Sequence, residues 1–442
     1  MIVVDDLGYA DMSFKGEVAD VRTPNIDALA KRSVRFSNAY ATAPICNASR
    51  VALITGRYQQ RQGQYWYGGR GLANPKFNTL AEALKQRGYA TGYIGKYHHG
   101  SNDGPKKRGF PLNHGFDYFY GFAGGTKHYL HHARKFQKGK DLLHQGPMWV
   151  QRKQQDVEGF TTELFGEQAR QFIRKNRANS FYLHLSFNAV HNFTHQLPES
   201  YLKEKGLKGF ADLDPSKENY WAWRARIGYP AHPEGRDYYL GQLTLLDREL
   251  GRVLQELKVQ GIEKNTVIVF VSDNGGSLVT YANNGKLKGG KYTLFEGGIR
   301  VPMFVSLPAR FRAGVAVDSV VTTMDLFPTI CNLTGARVPH DLDGVDLTPA
   351  LAEKGSLSER HVFWDTRAEQ AVRKGRWKLL ITKSTPNKRL QIVKSPQGRF
   401  LFDLENDIGE TKDVSTEHPE VMAQLDRALK EWQTAVRNPT AE

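Results

Sequence analysis

The chain has 442 residues, 40% of them hydrophobic and 11% aromatic, which excludes a fibrous or disordered protein and leaves room for one large domain and a smaller one. Its 61 Lys and Arg against 46 Asp and Glu give a formal charge of +15, a field that favours anionic partners without choosing among nucleic acid, acidic lipid and acidic polysaccharide. The two cysteines, Cys46 and Cys331, exclude a disulfide framework, and no apolar stretch is long enough to span a membrane.

The chain opens inside an expected strand, Ile2 to Val4, with no signal peptide ahead of it, so an upstream leader and part of that strand are expected to precede Met1. Thr23-Pro24 places an N-cap and a first-turn proline before Ile26, Leu29 and Ala30. Cys46 stands just ahead of Ser49-Arg50-Val51-Ala52-Leu53-Ile54-Thr55-Gly56, small and aliphatic residues that can start a helix. A helix N-terminus there would favour an anion and lower the thiol pKa. A helix over Thr79 to Gln86 leads into a strand at Ala90 to Gly95, and further strands fall at Phe181 to Phe187, Thr266 to Ser272 and Met303 to Ser306. Between the strands Phe181 to Phe187 and Thr266 to Ser272, Leu240, Leu243, Leu246, Leu250, Val253, Leu254 and Leu257 recur at three- and four-residue steps, the mark of a helix with one buried face, and Gly261 is its expected stop. Strand and helix in alternation predict an α/β fold, a large mainly parallel sheet sandwiched by helices.

Beyond residue 355 the pattern becomes hairpin-like. Strands are expected around His361 to Asp365, Gln370 to Ile381, Leu390 to Val393 and Phe400 to Asp403, then a helix with Val421, Leu425, Leu429 and Trp432 on one face. This predicts a smaller C-terminal α+β subdomain of antiparallel strands and one helix, dividing the chain at 1–355 and 356–442.

Ligands of an open α/β sheet gather beyond the carboxyl ends of its strands. Those positions hold Asp5-Asp6-Leu7-Gly8, Lys96-Tyr97-His98-His99, His191 and Asp273-Asn274-Gly275-Gly276. Singly each reads as turn chemistry or a solvated side chain; together they converge on one cleft. Asp5, Asp6, Asp273 and Asn274 offer only oxygen, the set for calcium or magnesium and not for zinc. Arg50 could hold an anion as a permanent cation. Cys331, within Thr329-Ile330-Cys331-Asn332-Leu333, reads as a buried apolar thiol.

Five motifs in this order resemble the type I, formylglycine-dependent sulfatases of the alkaline phosphatase superfamily: Asp5-Asp6-Leu7-Gly8; Cys46-Asn47-Ala48-Ser49-Arg50 with Thr55-Gly56-Arg57; Gly95-Lys96-Tyr97-His98; Asp273-Asn274-Gly275; and Gly290-Lys291 before Glu296-Gly297-Gly298-Ile299-Arg300-Val301-Pro302. The resemblance implies an alkaline-phosphatase-like fold over nearly the whole chain. It implies that Cys46 is oxidised to formylglycine, whose hydrate attacks sulfur with one hydroxyl and expels sulfate after the other loses a proton. Asp5, Asp6, Asp273, Asn274 and the modified Cys46 would then hold calcium, with magnesium as the alternative. Arg50 and Lys96 would stabilise the nucleophile and metal site, and His98 would take the proton. His191 and Lys291 would hold the sulfate oxygens, with His191, in preference to His195, donating a proton to the leaving alcohol.

A sulfated polysaccharide or its oligosaccharides is the implied substrate, with a sulfatase-maturing enzyme as partner, no nucleic acid, and a periplasmic or secreted location. Proline usually stands where this chain has Ala48. The oxygen-dependent converting enzyme prefers proline and the bacterial radical-type enzymes accept alanine, so a bacterial protein matured by the radical route is expected. A phosphatase or phosphonate monoester hydrolase on the same scaffold and an inactive glycan-binding protein are the alternatives. The run Lys127-His128-Tyr129-Leu130-His131-His132-Ala133-Arg134 could meet an acidic substrate or face solvent, and Tyr65, Trp66 and Tyr67 could stack on sugars or pack internally.

Overall fold

The computed structural model describes residues 1–69, 71–100, 104–125, 129–131, 148–211, 213–214, 217–352, 356–384 and 392–437. A ten-stranded sheet runs in the order Ala316–Thr322, Val34–Tyr40, Met303–Ser306, Ile268–Ser272, Ile2–Val4, Phe181–Ser186, Ala90–Lys96, Tyr118–Phe122, Met148–Val150 and Lys153–Gln155. The central run from Ile268–Ser272 to Tyr118–Phe122 is parallel throughout. Met303–Ser306 is antiparallel to both its neighbours, which leaves Val34–Tyr40 pointing the same way as the central strands.

Alternation along the strands builds two cores, one on each face. Ile2, Val4, Ile94, Leu185, Ile268 and Phe270 point to helices Pro24–Lys31, Thr161–Asn176 and Gly235–Val259. Val3, Tyr93, Tyr182, Val269 and Val271 point to Cys46–Thr55, Leu80–Gln86 and Leu326–Thr334. Sheet and helices therefore form the expected sandwich. The long helix ends at Val259, with Gly261 in the left-handed region at φ 72°. Thr79 and Glu82 close a reciprocal capping box at the head of Leu80–Gln86.

The second sheet is antiparallel, in the order His361–Asp365, Glu369–Lys374, Trp377–Thr382 and Gly398–Asp403. One face carries Val372, Leu379, Ile381 and Leu401 against Leu425, Leu429 and Trp432 of helix Pro419–Arg437. The other carries Val362, Trp364, Ala371, Leu380 and Phe402 against Tyr40, Leu294, Phe295 and Ile299. Two expectations need correcting here. Gln370 to Ile381 is not one strand but two, broken by a turn in which Gly375 takes φ 54°. Leu390 to Val393 forms no strand where it is described: Ile392 and Val393 are bends, and Leu390 lies outside the described residues. The sheet takes its fourth strand from Gly398–Asp403.

This topology brings the carboxyl ends of Ile2–Val4, Phe181–Ser186, Ala90–Lys96 and Ile268–Ser272 to one edge. Val34–Tyr40 ends there too and leads to the helix at Cys46, while the segment carrying Lys291 returns to that edge before Met303.

Candidate active site

Backbone pairing continues past the strand ends and holds the site loops in place. Asp273 N–H donates to Val4 O at 3.1 Å, Asp5 N–H to Ala189 O at 3.0 Å, and Asp6 N–H to the Asp273 carboxylate at 3.2 Å. Two glycines allow the close approach. A Cβ on Gly95, at φ 109°, would lie 1.8 Å from Ser186 O, and one on Gly275 would lie 1.9 Å from Gly297 O. Asp6 and His98 themselves adopt positive φ, at 59° and 46°, a strained conformation of the kind that gathers at functional sites.

Cys46 is the first residue of helix Cys46–Thr55, and Arg50 lies one turn on along the same side. Arg50 Nε donates to Asp273 Oδ2 at 2.8 Å, and Nη1 donates to Ser186 Oγ at 2.6 Å and to Lys96 O at 3.1 Å. Lys96 Nζ donates to Asp5 Oδ2, and Lys291 Nζ donates to Asp6 Oδ2 at 2.8 Å. Each of the three buried carboxylates thus meets one of three buried cations. His191 Nε2 stands 3.5 Å from Asp6 Oδ2, beside Lys291.

Asp5, Asp6 and Asp273 offer oxygens within 4.8 Å of one another, and Asp5, Cys46 and His191 offer donor atoms within the same distance. Asp5 Oδ1 and Asn274 Oδ1 are buried with no hydrogen-bond donor. Two orphaned oxygens in a carboxylate cluster fit a hard divalent cation, because leaving such groups unmatched is costly. The structure therefore brings together all the expected residues: Asp5, Asp6, Cys46, Arg50, Lys96, His98, His191, Asp273, Asn274 and Lys291.

Electrostatics inside the site follow burial first. Burial pushes Asp5 up to about 7 against the pull of Lys96, whereas Asp273, equally buried, is held below the ordinary range by Arg50, Lys96 and Lys291. Burial opposes the Lys291 charge, but Asp6, Tyr292, Cys46 and Asp5 together outweigh it and raise the lysine well above its usual value. His98 and His191 are lowered well below the ordinary imidazole range by burial and then by neighbouring cations. The Cys46 thiol is a correction to the expected lowering. Its pKa is raised, because burial outweighs Lys96 and Lys291.

His195 packs among aromatic rings. Its ring stacks on Phe210 at 3.9 Å and packs against Trp223. Cys331 is buried in the second core, where burial pushes its thiol up to about 12. Of the histidine-rich run only the Tyr129 side chain is described; it is buried and donates to Asn188 O at 2.8 Å.

Sequence reasoning missed Ser186, which takes the Arg50 hydrogen bond, and Asn284. The Asn284 side chain accepts from Tyr9 N at 3.1 Å and Gly276 N at 3.2 Å, and donates to Gly276 O and Gly289 O. It ties the turns that carry Asp6, Asn274 and Lys291, yet Asn283-Asn284-Gly285 reads as an ordinary turn.

The sequence profile of the Sulfatase family matches residues 1–336, and that of the N-sulphoglucosamine sulphohydrolase C-terminal region matches residues 290–435. The chain belongs to the sulfatase family. It is accordingly a sulfuric ester hydrolase. Among curated relatives, N-acetylgalactosamine-6-sulfatase of Mus musculus is 29% identical over 392 residues, covering 82% of this sulfatase and 68% of the relative. Steryl-sulfatase of Mus musculus is 28% identical over 549 residues, covering 99% and 82%. Among solved structures, Ps i-CgsB superposes with a TM-score of 0.82 at 31% identity, covering 99% of this sulfatase and 93% of that chain; it is also known in complex with k-i-k-neocarrahexaose. BT4656, solved with its substrate D-glucosamine-2-N,6-O-disulfate, shares the fold with a TM-score of 0.73 at 18% identity, covering 100% and 98%.

Proposed function

We propose that this sulfatase hydrolyses sulfate monoesters of a sulfated polysaccharide or its oligosaccharides, using a formylglycine made from Cys46 beside a bound calcium ion. The observation that carries the reading is the buried convergence of three paired carboxylates and cations on the residue that opens helix Cys46–Thr55. Asp5, Asp6, Asp273, Asn274 and the modified Cys46 would hold the ion, and the orphaned oxygens of Asp5 and Asn274 support that assignment. When bound and formed, the ion and the formylglycine hydrate supply polarisation of the ester and the attacking oxygen.

The remaining work falls to side chains. Arg50, locked by Asp273 and Ser186, fixes the helix start against the carboxylates. Lys96, paired with Asp5, steadies the nucleophile and the metal site, and Lys291 neutralises charge that builds on the sulfate oxygens. His98, kept neutral by burial, is suited to take a proton. His191 donates one to the leaving alcohol; burial first and then Lys291 and Lys96 lower its pKa, and an anionic ester beside those lysines offsets the part that comes from charge. The anionic substrate class is supported by the +15 charge and by the relatives named for sulfated sugars.

Tandem mass spectrometry of the tryptic peptide from Phe36 to Arg50, from cells that hold a maturing enzyme, is expected to find formylglycine at position 46. Sulfate release from defined carrageenan, chondroitin sulfate and heparan sulfate oligosaccharides identifies the sugar. A fully active enzyme whose Cys46 is an unmodified thiol would sink the mechanism.

A further inference from the structure

Helix Cys46–Thr55 is followed by a loop that turns back onto it. Gln64, fully buried, donates from Nε2 to Asn47 Oδ1 at 2.9 Å and to Trp66 O, while its Oε1 accepts from Gly71 N at 2.9 Å. The loop is thereby stapled to the neighbour of Cys46. Trp66 lands on a small apolar cluster of Ala43, Ile45, Cys46, Ala48 and Tyr292.

Three rings then lead outward. Tyr292 follows Lys291, whose ammonium lies 5.4 Å from the Tyr292 centroid, and its N–H donates to Pro44 O at 2.9 Å. Trp66 tilts on Tyr292 with centroids 6.2 Å apart, and Tyr67 tilts on Trp66 at 6.0 Å. Exposure rises from buried Tyr292 through half-buried Trp66 to Tyr67 at 49%. The exposed Arg367 lies over the ring of Tyr65, the residue before Trp66, 4.5 Å from its centroid.

Scattered exposed aromatics need no explanation. A graded series that begins at Lys291 and Cys46 and ends in solvent is a different arrangement. Large, rigid rings give contact area at small conformational cost, and the C–H face of a pyranose is flat and apolar enough to lie on them. The adjacent positive charge complements a polyanionic chain.

We propose that Trp66 and Tyr67, backed by Tyr292, form a platform for the sugar rings of the carbohydrate whose sulfate enters the site. This rests on the function proposed above. It assigns Trp66 and Tyr67 a role in carbohydrate recognition that is separate from sulfate chemistry.

The test measures KM and kcat for the parent, Trp66→Ala and Tyr67→Ala on sulfated hexasaccharides of the carrageenan, chondroitin sulfate and heparan sulfate types, and on 4-nitrophenyl sulfate. The platform predicts that KM on a cleaved hexasaccharide rises about tenfold more than KM on the small ester, a difference worth ~1.4 kcal/mol. Tyr67→Ala, the more exposed change, serves if Trp66→Ala lowers the melting temperature. Equal effects on both substrates, or none, overturn the platform. A parent that cleaves the aryl ester and no hexasaccharide overturns it while leaving sulfatase chemistry intact. A parent that cleaves neither overturns the proposed function, and the platform with it.

Discussion

Lys378 is the most demanding test of how the two sheets hold one another. It lies in strand Trp377–Thr382 with no exposed surface, its ammonium 3.0 Å from Glu296 Oε1 and 2.8 Å from Glu410 Oε1. Glu296 also accepts from Tyr40 OH at 2.6 Å, and Glu296 N–H donates to Glu410 Oε2 at 2.6 Å, so the cluster fastens the C-terminal sheet to the segment that follows Lys291. Lys378→Met keeps the length of the side chain and takes from buried Glu410 its cation, while Glu296 keeps Arg300 at 3.3 Å. Breaking a buried pair this way costs about 3–5 kcal/mol. Unfolding entropy of roughly 2.1 cal/mol/K per residue gives ~0.9 kcal/mol/K for the 442-residue chain, hence a melting temperature lower by about 3–5 °C if it unfolds as one unit.

Scanning calorimetry measures this, with Lys412→Met as reference, because Lys412 is 66% exposed and its pair with Glu417 is a surface pair. The loss also has a sign with pH. Burial raises Glu410 to about 7 even with Lys378 present. A carboxyl raised above its unfolded value stabilises the fold most below that value of 4.5, and this is lost as pH rises through 7. Removing Lys378 raises Glu410 further, so the deficit is expected to be larger at pH 8 than at pH 5. A Lys378→Met protein that melts with the Lys412→Met reference at pH 8 would refute the reasoning.

Three further outcomes follow from the site. His191→Ala is expected to lower kcat by on the order of 100-fold or more, and His195→Ala far less, because His191 faces Asp6 while His195 stacks on Phe210; equal losses in steady-state assays reverse the assignment. Calcium at about 100 times its Kd is expected to stabilise the protein by ~2.7 kcal/mol, and Asp273→Asn to abolish that gain in calorimetry with and without chelator. Ala48→Pro is expected to fold and to become a substrate for the oxygen-dependent converting enzyme. Position 48 lies in the first turn, where the first helical bond is Ser49 N–H to Ile45 O and proline forfeits nothing; mass spectrometry showing no gain in conversion counts against it.

Much of the architecture was legible where local signals and tertiary context agree. The apolar runs at Ile2, Ala90, Phe181 and Ile268 are strands buried on both faces, which need no polar alternation to be found. Val34–Tyr40 was missed because Asn38 interrupts the apolar face that Val34 and Phe36 begin, and its partner Ala316–Thr322 because its outer positions are exposed. The antiparallel setting of Met303–Ser306 depends on pairing that no single strand encodes. In the site, motif order located the residues, since strand ends fix where a side chain must emerge. What it left out was depth. A helix end alone implies a lowered Cys46 thiol, yet the residue is 4% exposed and burial reverses the sign. Asn284 was invisible for the same reason: its importance lies in the three turns it bridges.

The pairing inside the site makes these residues depend on one another. Arg50 with Asp273, Lys96 with Asp5 and Lys291 with Asp6 leave the protein's own six charges balanced in a space that excludes water. Loss of any one strands an opposite charge without solvent, so each is needed for folding as well as for chemistry. On the proposed reading a divalent ion adds two positive charges to this neutral set, and one sulfate monoester returns only one negative. A positive potential therefore persists as charge moves onto the leaving oxygen, which is where a barrier to sulfate transfer is lowered. Phosphate monoesters, with greater charge, would enter the same field. Discrimination between them has to come from the nucleophile at position 46 and from what surrounds the sugar, which makes the loop after helix Cys46–Thr55 the natural place for substrate choice.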